Sequence, residues 1–295
     1  MCYAKASNKS GVGSKTMVSG GTTAGPPMPP PPVVTVALAS TQPVATTEPT
    51  YASWNIDSSC NRGFHHINWT NPNLIAAAKA LAPSRLRFGG SGNDALVYGL
   101  SEGSVECSGI VPPSQGYHVA ECGYTTPGCL NSTHWDNLHA FSQASGADFI
   151  FGLSIGLPQA CAARGRYVWN ATNAITLLRY VAAHNQTIWG YELGNEVNNN
   201  GEGTPCNLTA TMQAKAALHL SELVAHTSAK IIGPDTGYRH WQEWLEKYLP
   251  VFRGAKVGLL HAVTHHVYPG VGRTSFNRPQ TLDSTRKEID WWAWR

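Results

Sequence analysis

The sequence predicts an α/β protein, a (β/α)8 TIM barrel that is incomplete here, with about six β/α units. Two observations predict this fold: strand and helix patterns alternate along residues 51–295, and polar residues collect where the strands end. Strict alternation is typical of a parallel sheet. A barrel carries its chemistry at the carboxyl ends of its strands, so both observations fit one architecture.

Six short apolar segments have the length and composition of strands, and segments of helical periodicity separate them. The strand segments are YASWNID (51–57), SRLRFGG (84–90), ADFIFGLS (147–154), TIWGYELG (187–194), KIIGPD (230–235) and HAVTHHVYPG (261–270). The helical segments are residues 71–83, 134–145, 170–185, 208–229 and 239–252. The first helix is expected to end before Pro83, because the residue before a proline disfavours the α conformation.

A doubly wound sheet is the alternative layout for such alternation. It would place a glycine-rich phosphate loop after the first strand. That position reads DSSCNRGFHH (57–66), which contains no G-x-G-x-x-G motif. The barrel is therefore favoured, although two more units would need roughly another 80 residues.

Three regions are expected along the chain. Residues 1–32 are a low-complexity Pro/Gly/Ser-rich segment that ends in GPPMPPPP, residues 33–50 hold an N-terminal strand and linker, and residues 51–295 form the partial barrel domain. No apolar run approaches the roughly 18 residues of a membrane span. The net charge is only +3 and basic–aromatic interleaving is absent, so no nucleic-acid partner is indicated.

The cysteines and glycosylation motifs indicate an oxidising compartment. Seven cysteines include no C-x-x-C pair, which favours disulfides over a zinc site. Six N-x-S/T motifs point to a secreted glycoprotein; they begin at Asn8, Asn68, Asn131, Asn170, Asn185 and Asn207. The chain starts without an apolar leader segment, and we expect that its true N-terminus is missing. Neither a cofactor nor a metal is predicted, since the histidine pairs lack carboxylates at ligand spacing.

The segment TIWGYELGNEVNNN (187–200) carries the candidate catalytic residue. Glu196 follows a strand, and partial desolvation by Trp189 and Tyr191 would let it keep a proton near neutral pH, as a glycosidase acid requires. The Asn195 amide could hold a sugar hydroxyl. The alternative is that Glu196 opens a helix for which Asn195 is the cap; the motif alone favours neither.

The chain resembles the heparanase-like glycoside hydrolases of family 79, from about Val33 to the C-terminus. The resemblance rests on LAPSRLRFGGSGND, SGADFIFGLS, TIWGYELGNEVNNN, IIGPDTG and VTHHVYPG, in order and at fitting distances. It implies a barrel with two catalytic glutamates and a β-sandwich that residues 33–39 would join.

The resemblance also implies roles for individual residues. Glu196 matches the acid/base and Asn195 its neighbour, while Tyr268 matches a tyrosine that hydrogen-bonds the nucleophile. The residues that match the sugar-binding cleft are Asp57, Ser91, Asp235, Tyr238 and Arg239. Glu192 is expected to be structural, paired with Arg85 or Arg87 inside the barrel.

Three features depart from the family pattern. Val197 stands where the family has proline. The insertion at 101–131 contains no Lys or Arg, so a glucuronide-bearing glycan or proteoglycan side chain fits better than a sulfated polyanion. The nucleophile, expected on a seventh strand, has no match in this chain, so we expect an inactive fragment of a retaining enzyme.

These features leave two functions open. The first is a retaining hydrolase of β-linked glucuronides, secreted to the extracellular matrix or cell surface or delivered to lysosomes. The second is a non-catalytic carbohydrate-binding pseudoenzyme. The oligomeric state, the exact sugar and the disulfide pairing are not indicated by the sequence.

Overall fold

A computed structural model of the chain describes residues 46–58, 67–100, 128–156, 167–199, 207–253, 255 and 259–267. Contacts divide the chain into residues 1–48 and 49–295, and the elements below belong to the second unit. The predicted strand at 33–39 lies outside the described residues. No helix within the described ranges is long and apolar enough to cross a membrane.

The described elements alternate as the sequence predicts. The strands are β1 (Trp54–Asp57), β2 (Arg85–Gly89), β3 (Leu96–Gly99), β4 (Gly128–Asn131), β5 (Asp148–Leu153), β6 (Gly190–Leu193), β7 (Lys230–Thr236) and β8 (Ala262–His265). The helices are α1 (Pro72–Lys79), α2 (Ser132–Ser145), α3 (Thr172–Ala183), α4 (Ala210–Leu223) and α5 (Trp241–Arg253), and a 3₁₀ turn covers Asn93–Ala95.

Six of the strands form one parallel sheet in the order β1-β2-β5-β6-β7-β8. Each of these strands pairs with the next one along the chain in that sheet, so the order never reverses as it does in a doubly wound sheet. The predicted incomplete barrel is confirmed, and the doubly wound alternative is excluded.

The sheet is curled, and the side chain of Arg87 on β2 shows this directly. Its guanidinium contacts Asn55 on β1, Glu192 on β6 and Asp235 on β7. Neighbouring strands lie about 4.8 Å apart, so β7 would be out of reach of an arginine on β2 in a flat sheet. The inner face must therefore be concave, as in part of a barrel wall.

The outer face of the sheet is apolar and packs beneath the helices. Phe88 and Phe151 stack with ring centroids 6.0 Å apart, and Trp135 of α2 meets Phe151 edge-on at 4.9 Å. All three rings are almost completely buried. The core thus lies between sheet and helices, and this leaves the inner face free for polar side chains.

The Cys-rich connection before α2 holds a second, smaller sheet. We expected a loop there, but β3 and β4 pair in parallel, with Leu96 beside Gly128 and Gly99 beside Asn131. Cys129 of β4 is disulfide-bonded. The loop prediction was wrong at both ends of the segment, because four-residue strands give too few positions for an alternation to show.

Gln213 anchors α4 to the ends of two strands. Its buried amide nitrogen donates to the carbonyls of Leu193 (2.8 Å) and Pro234 (3.0 Å), and its carbonyl accepts a hydrogen bond from the Trp244 indole of α5 at 2.7 Å. Backbone groups freed where β6 and β7 end are therefore paired inside the protein, as buried polar groups require. This contact fixes the positions at which the polar segments after both strands begin.

Candidate active site

Five of the sequence-predicted site residues lie at the carboxyl-end edge of the curled sheet. They are Asp57 at the end of β1, Ser91 after β2, Asn195 and Glu196 after β6, and Asp235 in β7. Tyr238 and Arg239 follow β7 and are exposed. Tyr268 lies outside the described residues.

Arg87 is the hub of the polar inner face. Its Nε donates to Glu192 at 2.5 Å, Nη1 donates to Asn55 at 2.7 Å, and Nη2 donates to Asn195 Oδ1 at 3.1 Å and to Asp235 Oδ2. The expected pairing of Glu192 with an arginine inside the barrel is confirmed, and that arginine is Arg87. The side chains of Glu192 and Asp235 are each only 1% exposed, so Arg87 supplies the charge that lets these two carboxylates stay buried.

Burial and ion pairing shift the ionisation of this cluster. Burial opposes the charge on Arg87, but Asp235 and Glu192 outweigh it and raise the pKa of Arg87. Burial alone would also raise the pKa of Asp235, yet Arg87 and His266 hold it below its usual range. For Glu192, burial and the nearby Asp235 raise the pKa against the pull of Arg87. Asp235 is thus the more firmly ionised of the two carboxylates.

The absence of a side chain at Gly89 makes room for the guanidinium. A Cβ on Gly89 would lie 2.6 Å from Cζ of Arg87, closer than real contacts allow. This explains why a glycine follows Arg87 and Phe88 in the RFGG sequence. The guanidinium of Arg87 lies over Gly89, two positions further along the same strand. The glycine is part of the site although it carries no functional group.

Glu196 lies in a tight turn directly after β6. Its φ of 49° is in the left-handed region, and its backbone N–H donates to the Asp235 carbonyl at 2.9 Å. The next described helix, α4, begins only at Ala210. The alternative that Glu196 opens a helix with Asn195 as its cap is therefore wrong.

The two oxygens of the Glu196 carboxylate have different partners. His266 Nδ1 lies 2.6 Å from Oε1, and the Asn199 amide donates to Oε2 at 2.7 Å. The Glu196 side chain is 19% exposed, so the group is partly shielded and still reachable from solvent. This arrangement suits the ionised form, because both oxygens accept hydrogen bonds.

The expected wall of Trp189 and Tyr191 around Glu196 is not found. Tyr191 is buried in the apolar core on the outer face, as its alternation with Glu192 dictates. Trp189 lies just before β6, and the guanidinium of Arg85 lies over its ring, 4.3 Å from the ring centroid. The wall prediction failed because it took residues near in sequence to be near in space.

His266 bridges Glu196 and Asp235, and sequence reasoning missed this role. Its Nε2 lies 2.6 Å from Asp235 Oδ1, opposite the Nδ1 contact with Glu196. Burial would lower the pKa of His266, but Asp235 and Glu196 raise it to about 10. At neutral pH the imidazolium therefore donates a hydrogen bond to Glu196 and forms an ion pair with Asp235.

The consecutive histidines His265 and His266 could have indicated this site from the sequence. Side chains alternate along a strand, so His265 and His266 had to face opposite sides. His265 packs against Trp241 of α5, with ring centroids 4.6 Å apart, and His266 points to the cleft. The alternation was recognised from the sequence; what it lacked was the distance between the end of β8 and Glu196.

Asp94 is a second residue that sequence reasoning did not single out. Its Oδ1 accepts the backbone N–H of Asn195 at 2.9 Å, while Oδ2 is buried without a hydrogen-bond partner in the described structure. Burial raises the pKa of Asp94 well above its usual value. The buried Asp94 carboxyl group thus holds the backbone next to Glu196.

Both polar atoms of the Asn195 side chain form hydrogen bonds within the protein. Its Oδ1 accepts from Arg87, and its Nδ2 donates to Ser91 Oγ at 3.3 Å. Residues from β2, the loop after it and β6 are thereby joined next to Glu196. Among the described residues, no three His, Cys, Asp or Glu side chains form a group that could hold a metal ion.

A concave parallel sheet with a carboxylate-rich cluster at its carboxyl edge defines the class of barrel proteins whose site lies above the strands. Sequence comparison makes the assignment specific. The chain belongs to glycoside hydrolase family 79, because residues 45–285 match the N-terminal domain of that family.

Relatives within this family come from plants and animals. Heparanase-like protein 3 of Arabidopsis thaliana is 30% identical over 251 residues, which cover 80% of this chain and 44% of the relative. Heparanase of Gallus gallus is 26% identical over 282 residues (82% and 52%), and baicalin-beta-D-glucuronidase of Scutellaria baicalensis is 25% identical over 267 residues (79% and 48%). The chain spans about half the length of these relatives.

A solved structure supports the fold. A family 51 alpha-L-arabinofuranosidase from Bifidobacterium longum superposes with a TM-score of 0.54 at 16% identity, over 85% of this chain and 52% of that enzyme. At this identity the similarity concerns the fold alone. It agrees with a partial barrel wall.

Proposed function

We propose that this chain carries the acid/base half of a retaining glycoside hydrolase that acts on β-linked glucuronides of glycans or proteoglycans. One observation carries the proposal: Glu196 lies at the carboxyl edge of the sheet. One oxygen of its carboxylate contacts His266, and the other accepts a hydrogen bond from Asn199. Family 79 membership supplies the chemical context. A positioned, partly shielded carboxyl group is what general acid–base catalysis on a sugar requires.

Glu196 would act twice in the reaction. It would protonate the glycosidic oxygen as the bond to the anomeric carbon breaks, and then take a proton from the water that hydrolyses the glycosyl-enzyme. The described hydrogen bonds match the ionised Glu196 that the second step needs, because both carboxylate oxygens accept. His266, protonated and in contact with Glu196, would stabilise the ionised carboxylate between the two steps, and Glu196 would regain its proton from the water.

The sugar would be held by residues around Glu196. The Asn195 amide nitrogen carries two hydrogens and donates one to Ser91, so one remains for a sugar hydroxyl. Asp57 would hold the sugar from the end of β1, and Tyr238 and Arg239 would contact it from the exposed segment after β7. Tyr268 would hydrogen-bond the nucleophile.

The nucleophile is proposed to be a glutamate on the seventh strand of the barrel, which would follow β8 in the sheet. A retaining enzyme needs two carboxyl groups about 5–5.5 Å apart. Glu192 and Asp235 are both ion-paired to Arg87 with side chains 1% exposed, so neither suits attack on a sugar. The described sheet contains six strands, and none of them supplies this group.

A carbohydrate-binding pseudoenzyme is the second candidate. The ion pairs of Glu192 and Asp235 with Arg87 favour it, because the described site does not present these two carboxylates to a substrate. Both candidates predict glycan binding, and only the first predicts turnover.

The deciding experiment sequences the 3′ end of the transcript, expresses the encoded protein and assays it on an aryl β-glucuronide. Glu196→Gln is expected to lower kcat by a factor of about 10² to 10⁴, the usual contribution of a general acid–base group. Glu243→Gln is the matched control, because the Glu243 side chain is 75% exposed on α5. Glycan binding without turnover in the parent protein would favour the pseudoenzyme, and equal activity of the two variants would contradict the role of Glu196.

The protein is also proposed to mature in the secretory pathway, for delivery outside the cell or to lysosomes. The motif asparagines Asn68, Asn170, Asn185 and Asn207 are exposed, and Asn131 is half-buried with its side chain accepting the His134 N–H at the start of α2. Treatment of protein from a eukaryotic host with an N-glycan amidase should lower its mass. The four exposed asparagines should be converted to aspartate; an unchanged mass would contradict the proposal.

A further inference from the structure

Asn199 belongs to the turn that follows β6. Its backbone N–H donates to the Glu196 carbonyl at 3.0 Å, which closes the turn. Its side chain folds back, so that Nδ2 reaches Glu196 Oε2 at 2.7 Å. The turn thus places an amide donor against the carboxylate that it carries.

The same amide also contacts the segment after β7. Asn199 Oδ1 accepts the backbone N–H of Arg239 at 3.3 Å. The neighbouring Asn198, completely buried, pins this segment further: its Oδ1 accepts the Gly237 N–H at 2.8 Å and its Nδ2 donates to the carbonyls of Gly237 and Arg239. Two consecutive asparagines therefore clamp residues 237–239 to the turn of Glu196.

Gly237 shows that the protein keeps this place free for the amide. A Cβ on Gly237 would lie 2.3 Å from Asn199 Oδ1 and 2.6 Å from its Nδ2, so any larger residue would have to displace the amide. The amide group thus has a close-fitting position between the carboxylate and the segment. A substitution at Gly237 can disturb Asn199 without altering it.

We propose that Asn199 is a positioning residue that holds the carboxylate of Glu196 in its ionised, water-activating form and fixes it to residues 237–239. The inference rests on the proposed function of Glu196 as the acid/base. A hydrogen-bond donor stabilises a carboxylate relative to the protonated acid. Removing this donor weakens the stabilisation of the carboxylate and lets Glu196 hold its proton to higher pH.

Other ionisable groups surround Glu196 and stay unchanged in the test. Those described are Arg87 of β2, Asp94 after β2, Asp235 of β7, His265 of β8 and His266 after it. Arg239 is exposed beyond them. A change confined to Asn199 therefore reports on the amide alone.

The test follows the Glu196 carboxyl carbon by NMR during a pH titration of the full chain, labelled with ¹³C-glutamate. Glu196→Gln identifies the resonance by its loss. In Asn199→Ala and in Gly237→Ala, the titration midpoint should rise by about half to one pH unit, the size expected for one hydrogen bond to a partly exposed carboxylate. Asn73→Ala, an exposed asparagine at the start of α1, should leave the midpoint where it is.

An unchanged midpoint in Asn199→Ala, with or without a lower melting temperature, would overturn the proposal, since a purely structural role would not move the titration. Asn199→Ser keeps a polar side chain that is too short to reach Glu196, and it repeats the test if Gly237→Ala does not fold. In an enzyme that turns over the glucuronide, the basic limb of the kcat/KM profile should move up by the same amount. A shifted midpoint in Asn199→Ala, together with no turnover by the protein that the complete transcript encodes, would refute the proposed function and leave the positioning role supported.

Discussion

At the scale of single residues, the site depends on how charges are paired. His266 lies between Glu196 and Asp235, and Arg87 binds Asp235 and Glu192, so the two cations share Asp235. A cation between carboxylates lets several acids lie together without mutual repulsion. The chemistry of Glu196 is therefore set by residues distant from it in sequence.

The pairing of His266 makes stability depend on pH. The pKa of His266 is raised from 6.5 to about 10 in the folded protein. The folded state consequently holds the proton more tightly; the stabilisation is complete below pH 6.5 and is lost as pH rises towards 10. His266→Gln should cost most at pH 6 and progressively less towards pH 10.

Thermal unfolding midpoints of the parent and the variant at pH 6, 8 and 10 check this prediction. His226→Gln is the control, because His226 is exposed after α4. If the cost of His266→Gln is the same at all three pH values, the imidazolium does not stabilise the fold through the two carboxylates.

At the scale of elements, the strand and helix pattern was predictable and the site contacts were only partly so. The six predicted strand segments and the five predicted helical segments each overlap an element of the structure, because burial on one face imposes the pattern locally. The contacts of Arg87 span 32 to 148 residues in sequence, and no local pattern encodes such distances. Asp94, Asn199 and His266 escaped notice for the same reason.

The curl of the sheet should weaken when Arg87 is removed. Arg87→Ala would leave Glu192 and Asp235 buried without their cation, which costs about 3–5 kcal/mol for a broken buried pair. Arg85→Ala is the matched control on the same strand; its side chain is 25% exposed and lies 3.8 Å from Asp148. We expect a loss of roughly 1 kcal/mol there.

Urea unfolding of both variants measures the difference, with stability read from the midpoint when the slope is unchanged. Similar losses for Arg87→Ala and Arg85→Ala would show that the buried cluster does not hold the sheet together.

At the scale of the whole molecule, charge bears on the choice of glycan. The chain carries a net charge of only +3, and the described site combines Asp57, Glu196 and the ion-paired acids with one exposed cation, Arg239. A sulfated chain would meet few cations at the cleft, whereas a single uronate carboxylate needs one.

Binding to heparin and to a glucuronide-bearing, unsulfated glycan should differ accordingly. Titrations at low and at physiological ionic strength should show weaker, strongly salt-dependent binding of heparin and salt-tolerant binding of the unsulfated glycan. Tight heparin binding that persists at physiological salt would contradict this preference.

The wide sequence span of the Arg87 contacts also dictates when the polar centre can form during synthesis. The ribosome must deliver β7 before the guanidinium of β2 can meet Asp235, long after β1 and β2 have emerged. Structures dominated by such distant contacts fold slowly, because the loop must close before any contact repays its entropy. Until that moment Arg87 remains hydrated, and the apolar outer face has to assemble without help from the site. The carboxyl-end edge of the sheet therefore cannot be completed before β7 has been delivered.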